Sequence, residues 1–294
     1  MALTIDQSFA RLKQNLEITG LQAATVSTRQ ANIRQVVEAG LTVEETFLTG
    51  SYSRSTMIAP LKDADVDIFV VLDTKYFYNY DQGQNGGQAG LLDRVKGVLK
   101  RTYTRTPDIS RNGLAVTIRF DDFMVDVVPG FRRNGGGFLI PNSITKTWVS
   151  TDPKKHVELV SSSNTVHHGD LVPLIKMIKA WNRNINRHFR SFHLEVLALE
   201  IFSNVTISDF PSGVRFYFDK GRTFIAQKNL DPAGYGGDVG SYLNSQEAIR
   251  EATTKFQLAY DRAIRAEDFA RRGRVRDAVD TWILIFGDYF PSYG

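Results

Sequence analysis

Seven residues, 66–72 (VDIFVVL), constrain this chain most. All but Asp67 are apolar, β-branched or aromatic residues dominate, and the run has a strand's length; it reads as a central strand. Its mouth carries three acids, Asp63, Asp65 and Asp67. Asp65 and Asp67 stand two residues apart, so on a strand both side chains leave from one face. Two carboxylates held that close repel each other unless a cation lies between them, and a divalent metal with hard oxygen ligands is the natural partner. A third acid, Asp126, lies in FMVDVVPG, a predicted strand where an unpaired charge would be expensive. If that strand neighbours 66–72, the three carboxylates form a cluster able to hold two Mg²⁺ ions for in-line phosphoryl transfer. Asp63 and Asp65 share the same spacing, but Asp67 abuts the strand directly. Asp65 and Asp67 are therefore the expected pair, with Asp63 behind them.

Upstream, Gly50-Ser51 reads as a turn. Gly allows close backbone approach to a phosphate, and the Ser hydroxyl can donate to its oxygens. Either feature alone would be a surface turn or a solvated strand cap; their ordered combination with Asp126 favours a nucleotide site.

The rest of the chain divides by periodicity. Residues 4–18 and 22–40 are helical, and the second of these is expected to brace the fold. Residues 79–90 (NYDQGQNGGQAG) read as a mobile loop and 91–103 as a helix. LAVTIRF (114–120) and FMVDVV (123–128) flank Asp121-Asp122 as a hairpin. Thr151-Asp152-Pro153 starts a helix, with Asp152 as N-cap. Helices then dominate at about 153–161, 170–187, 192–204, 245–270 and 274–286, broken by a β-like segment, 214–218. The expected division is 1–160, a core with N-terminal brace helices, and 161–294, a helical lobe.

Composition narrows the function. The chain has 294 residues, 42% hydrophobic, and a net charge of 36 − 32 = +4. That is mildly basic: suited to an anionic nucleotide, well short of a protein that coats DNA. It has no cysteine, which excludes disulfides and thiolate zinc sites. No apolar run approaches the roughly 20 residues of a membrane span, so a cytoplasmic protein with no membrane partner is expected.

The order TGS, then D-x-D before an apolar strand, then a third Asp on a later strand resembles the polymerase-β-like nucleotidyltransferases. GSYSRSTMI, VDVVPGF, TDPKKH, IKAWNR, RSFHLEVLALE, LDPAGYGGDVG and FGDYFP extend the likeness from Thr49 to Pro291. The pattern is most similar to the CD-NTases, the bacterial cyclic oligonucleotide synthases of anti-phage CBASS operons. This implies an α/β (α+β) fold: a nucleotidyltransferase lobe with a mixed twisted sheet, a mostly helical C-terminal lobe, and the active site in the cleft. It implies that Asp65, Asp67 and Asp126 are catalytic and bind metal, two Mg²⁺ ions or Mn²⁺ in their place. Gly50, Ser51, Lys179 and Ser191 would bind the nucleotide phosphates, with Lys176, one turn before Lys179, as the competing lysine. The implied substrates are nucleoside triphosphates (ATP, GTP, UTP or CTP), joined and cyclised to a second messenger with release of pyrophosphate. An operon-encoded regulatory protein is a further implied partner. The Cys-ligated zinc insertion of the related animal DNA sensor is absent, so no DNA activator is expected.

Other candidates read as structural. Ser191 suits a helix N-cap as well as a phosphate contact. Lys179 alone would pass for an exposed helix lysine, and Glu195 and Glu200 are read as structural. His167-His168 reads as a solvated loop, while His156 and His193 read as packing or hydrogen-bonding residues. Arg271, Arg272, Arg274 and Arg276 read as a solvated face. Two other functions compete: a non-cyclising nucleotidyltransferase acting on RNA ends or transferring AMP to a protein, and an inactive nucleotide-binding module. The intact acid set argues against the last.

Overall fold

The structure is a computed structural model that describes residues 3–105 and 108–294. The chain forms two compact units, Ile18–Glu158 and a second made of Met1–Glu17 with Leu159–Gly294. The first helix, expected with the N-terminal core, therefore belongs to the helical unit.

The sheet unit begins with α2 (Gly20–Gly40), after α1 (Ile5–Asn15) of the other unit. Then come β1 (Val43–Thr49), the single turn α3 (Gly50–Ser53), β2 (Asp65–Leu72), α4 (Gly87–Thr102), β3 (Asp108–Arg111), β4 (Val116–Arg119), β5 (Met124–Arg132), β6 (Phe138–Asn142) and β7 (Thr147–Thr151). The sheet order is β1-β2-β5-β4-β3, and β6 joins β5 to β7. Among the described residues β2 and β5 run parallel and the other strand pairs are antiparallel. The run read as a central strand is indeed flanked on both sides.

Strand alternation divides labour between the two faces of β2. Val66, Ile68, Val70 and Leu72 join Val125 and Val127 of β5, Val26, Ile33 and Val37 of α2, and Leu91, Leu92, Val95 and Leu99 of α4 in one apolar core. Phe69 and Val71 point the other way and pack with Phe138, Ile140 and Phe47. Asp65 and Asp67 share the parity of Phe69, so they are on the face away from α2 and α4.

The helical unit contains α1, most of α5 (Pro153–Val166), α6 (Leu171–Asn184), α7 (Ser191–Ile201), α8 (Phe210–Phe224), α9 (Gln246–Arg271) and α10 (Val275–Phe286). Asp152 starts α5 as expected: its carboxylate accepts from the Lys155 N–H at 3.0 Å. Trp181 of α6 packs against Phe189, Phe218 and Phe256. Phe9 of α1 meets Trp282, Phe286 and Phe290 edge-on.

Several expectations are corrected. Residues 214–218 are not β-like but lie inside α8, which Asp209 caps through the Ser212 N–H at 2.8 Å. Gly213, Val214, Tyr217, Phe218 and Gly221 are its buried residues, a helical spacing that its aromatic residues disguise as alternation. The loop read over 79–90 ends early, since α4 starts at Gly87. His167 is buried rather than solvated: Nδ1 lies 2.6 Å from the Ser163 carbonyl and Nε2 lies 3.0 Å from that of Phe202. Among the described residues, no helix is long and apolar enough to cross a membrane.

Candidate active site

Two strand registers bring the acids together. Thr49 of β1 pairs with Asp67 of β2, and Asp67 pairs in turn with Asp126 of β5. Asp65 is two residues from Asp67 on the same face. One oxygen from each of Asp65, Asp67 and Asp126 lies within 4.8 Å of the other two. Asp65 is exposed and the other two are half-buried, so the cluster opens to solvent on one side.

Gly50 fits against this cluster for a steric reason. Its φ is +67°, and a β-carbon built there would fall 1.7 Å from Asp67 Oδ2. A side chain would meet both a left-handed backbone penalty and a direct collision with a carboxylate. The next residue, Ser51, closes the turn: its carbonyl accepts from the N–H groups of Thr56 and Met57 at 2.9 and 3.1 Å.

Asp126 is held by two side chains. Thr117 is its cross-strand neighbour on β4 and donates its hydroxyl to Oδ1 at 2.5 Å. Asn112 donates to Oδ2 at 2.9 Å and to the Thr117 hydroxyl at 2.9 Å. Burial pushes the Asp126 carboxyl above its ordinary range and the charge of Asp65 adds to this, while the bonds from Thr117 and Asn112 pull the other way. Mutual repulsion among hard oxygen donors is the state a divalent cation relieves, so these residues fit a metal. Sequence reasoning missed Asn112 and Thr117. The side chain of Asp63, expected behind the pair, lies outside the described residues.

The proposed phosphate ligands of the helical unit are less exposed than a surface reading suggests. Lys179 is buried, and its ammonium lies 2.6 Å from Glu195 Oε1 of α7. Lys176 is also buried and reaches both carboxylate oxygens of Glu17 at 2.7 Å. Ser191 is exposed and is the first residue of α7; Arg190, not Ser191, occupies the N-cap position. His193 is a hydrogen-bonding core residue as expected, between the Tyr242 hydroxyl at 3.2 Å and Asn229 Oδ1 at 2.6 Å.

A strand pair carrying three converging acids, next to a Gly-Ser turn and followed in sequence by a helical unit, defines a polymerase-β-like nucleotidyltransferase. The model of the Second Messenger Oligonucleotide or Dinucleotide Synthetase domain matches residues 3–164, more than half of the chain, and the chain belongs to that family. A Bacillus cereus (strain VD146) protein named "Probable cyclic nucleotide synthase" is 26% identical over 273 residues, covering 83% of this chain and 81% of the relative. The "Cyclic AMP-AMP-AMP synthase" of an Acinetobacter strain is 24% identical, covering 98% and 86%. In fold, the chain is similar to the Vibrio cholerae cyclic AMP-GMP synthase DncV, solved with a linear intermediate, at a TM-score of 0.77 and 13% identity over 100% of this chain and 98% of that one. It is also similar to CdnC of E. coli MS115-1 with ATP, at a TM-score of 0.75 and 17% identity over 99% of each chain. The chain is a bacterial CD-NTase, a nucleotidyltransferase that cyclises nucleotides.

Proposed function

We propose that this enzyme uses Asp65, Asp67 and Asp126 to hold two magnesium ions, with manganese able to replace them, and builds its product from nucleoside triphosphates. The observation that carries the reading is the convergence of three carboxylate oxygens within 4.8 Å beside a glycine where a β-carbon would meet one of those carboxylates. Bound there, the ions would lower the charge on the triphosphate and favour an ionised ribose hydroxyl. Asp126, at the edge of the cluster, would assist as the base that takes the hydroxyl's proton. The ribose oxygen forms a bond to the α-phosphorus while the bond from that phosphorus to the bridging oxygen of pyrophosphate breaks. A second such attack closes the ring. Ser51 and the Gly50 turn, with Lys179 and Ser191, contact the donor phosphates.

CdnC of E. coli has also been solved in complex with a HORMA protein. An operon-encoded regulatory protein is the corresponding partner here, and anti-phage signalling in the cytoplasm is the setting. The test is incubation with α-labelled ATP, GTP, UTP and CTP, singly and mixed. A phosphatase-resistant small product is expected, with mass spectrometry giving ring size and bases. Label on RNA or protein alone would instead identify a non-cyclising transferase.

A further inference from the structure

The helical unit holds a buried charge pair of which only the lysine has been given a part in the reaction. Lys179 of α6 and Glu195 of α7 form an ion pair at 2.6 Å with side chains 6% and 1% exposed. Removing two charges from water is costly, and well-packed apolar residues usually do as well for stability. The corner they bridge is held by other means. Asn182 donates to the Phe189 carbonyl at 2.8 Å and accepts from the Phe189 N–H at 2.9 Å, bracketing the connection between α6 and α7. Trp181 stacks on Phe189 in the same corner. Packing therefore does not explain why a carboxylate is buried at position 195.

Helix geometry supplies a reason. Ser191 and Glu195 are four residues apart on α7 and share one face, with Ser191 exposed at the helix start and Glu195 buried one turn below. A buried lysine without a counter-charge tends to lose its proton, and its flexible stem leaves the ammonium free to choose among rotamers. A carboxylate at 2.6 Å removes both freedoms.

We propose that Glu195 is the positioning residue of the donor-triphosphate site: it keeps Lys179 protonated and fixes the direction of its ammonium. Ser191 is then presented on the face that Glu195 anchors. The proposal rests on the reading of Lys179 as a phosphate contact. Glu195 itself touches no substrate.

The experiment compares Glu195→Gln, Glu195→Asp, Lys179→Met and the double variant Glu195→Gln/Lys179→Met. ATP and AMP affinities are measured by calorimetric titration at fixed Mg²⁺, with melting temperature recorded in parallel. Glu195→Gln is expected to weaken ATP binding by about 10-fold and leave AMP within about twofold, because the lost contact is charge-assisted. Glu195→Asp, shorter but charged, should recover part of the loss. In the Lys179→Met background Glu195→Gln should change the ATP-to-AMP ratio no further. If Glu195→Gln lowers only the melting temperature, or weakens both nucleotides alike, Glu195 is structural and the proposal fails while the Lys179 reading stands. If it tightens ATP binding, the carboxylate competes with phosphate and the proposal is overturned. If Lys179→Met leaves ATP affinity intact, the phosphate-contact reading falls first and takes the proposal with it. Should Glu195→Gln not fold, the comparison of Glu195→Asp with wild type, and of the double variant with Lys179→Met, gives the same decision.

Discussion

At Gly50 a single added carbon would press on the proposed metal site. Gly50→Ala would force its methyl into the Asp67 carboxylate and disfavour φ of +67°. We expect near-complete loss of turnover with a folded protein, read by product formation beside circular dichroism. Asp67→Asn removes the charge and keeps the shape. Turnover in Mg²⁺ should nearly vanish, while the metal-free protein should melt at the same temperature or higher because repulsion with Asp65 and Asp126 falls. Near-wild-type activity would remove Asp67 from the metal site. Thr117→Val tests the support beneath: the bond at 2.5 Å to Asp126 is lost and the side-chain volume is nearly kept. Loss of such a supporting bond typically lowers metal affinity about 10- to 100-fold. A Mg²⁺ titration of activity, checked by Mn²⁺ binding, should show that shift, and an unchanged titration would reduce Thr117 to a packing role.

Elements explain what the sequence could and could not reveal. β2 was legible because its apolar run is long and its acids fall on one parity, and β5 because Asp126 interrupts an apolar segment. β1 (VEETFLT) and β7 (TWVST) were not, since polar residues fall on both faces and break the alternation, and β6 (FLIPN) was not, since it is a short apolar run interrupted by Pro141. Asn112 and Thr117 carry no one-dimensional signal; they matter only because the β3–β4 and β4–β5 pairings bring them to Asp126. Likewise, nothing along the chain links Lys179 to Glu195 until α6 and α7 pack. The start of α7 shows the same dependence on context, and it makes a pH prediction. Burial lowers the pKa of His193 below its ordinary 6.5, against the opposing hydrogen bond to Asn229. The unfolded chain therefore binds a proton at a pH where the native state still refuses it. Stability contributed this way is intact above the ordinary histidine pKa and is lost as pH falls through the lowered native one. His188, also lowered by burial, acts in the same direction, and Asp126, raised, acts in the opposite one. Comparing melting temperatures of wild type and His193→Gln between about pH 7.5 and about pH 5 cancels both, across the range in which an ordinary imidazole gains its charge. The wild type should lose more on acidification. Parallel curves would show that His193 titrates alike in the folded and unfolded chain.

For the molecule as a whole, charge decides what else it can bind. The net charge of +4 is spread over 36 basic and 32 acidic residues, and two carboxylates offset part of the densest basic stretch, Arg271 to Arg276. Arg271 and Arg272 pair with Asp268 at 3.2 and 2.9 Å, and Arg274 pairs with Asp277 at 2.7 Å. Such exposed pairs contribute little to stability, but they weaken the field that a phosphate backbone would feel. A protein that neutralised many phosphates would show a steep salt dependence. Here any retention of duplex DNA at low salt should vanish by physiological ionic strength, where exposed charges are screened beyond about 8 Å. Duplex DNA or RNA should accordingly leave the rate of cyclic product formation unchanged at that salt. The assay is product formation with increasing duplex at two ionic strengths. Saturable stimulation that survives physiological salt would require a nucleic-acid surface built from other residues than these arginines, and would overturn the expectation that the enzyme works without such an activator.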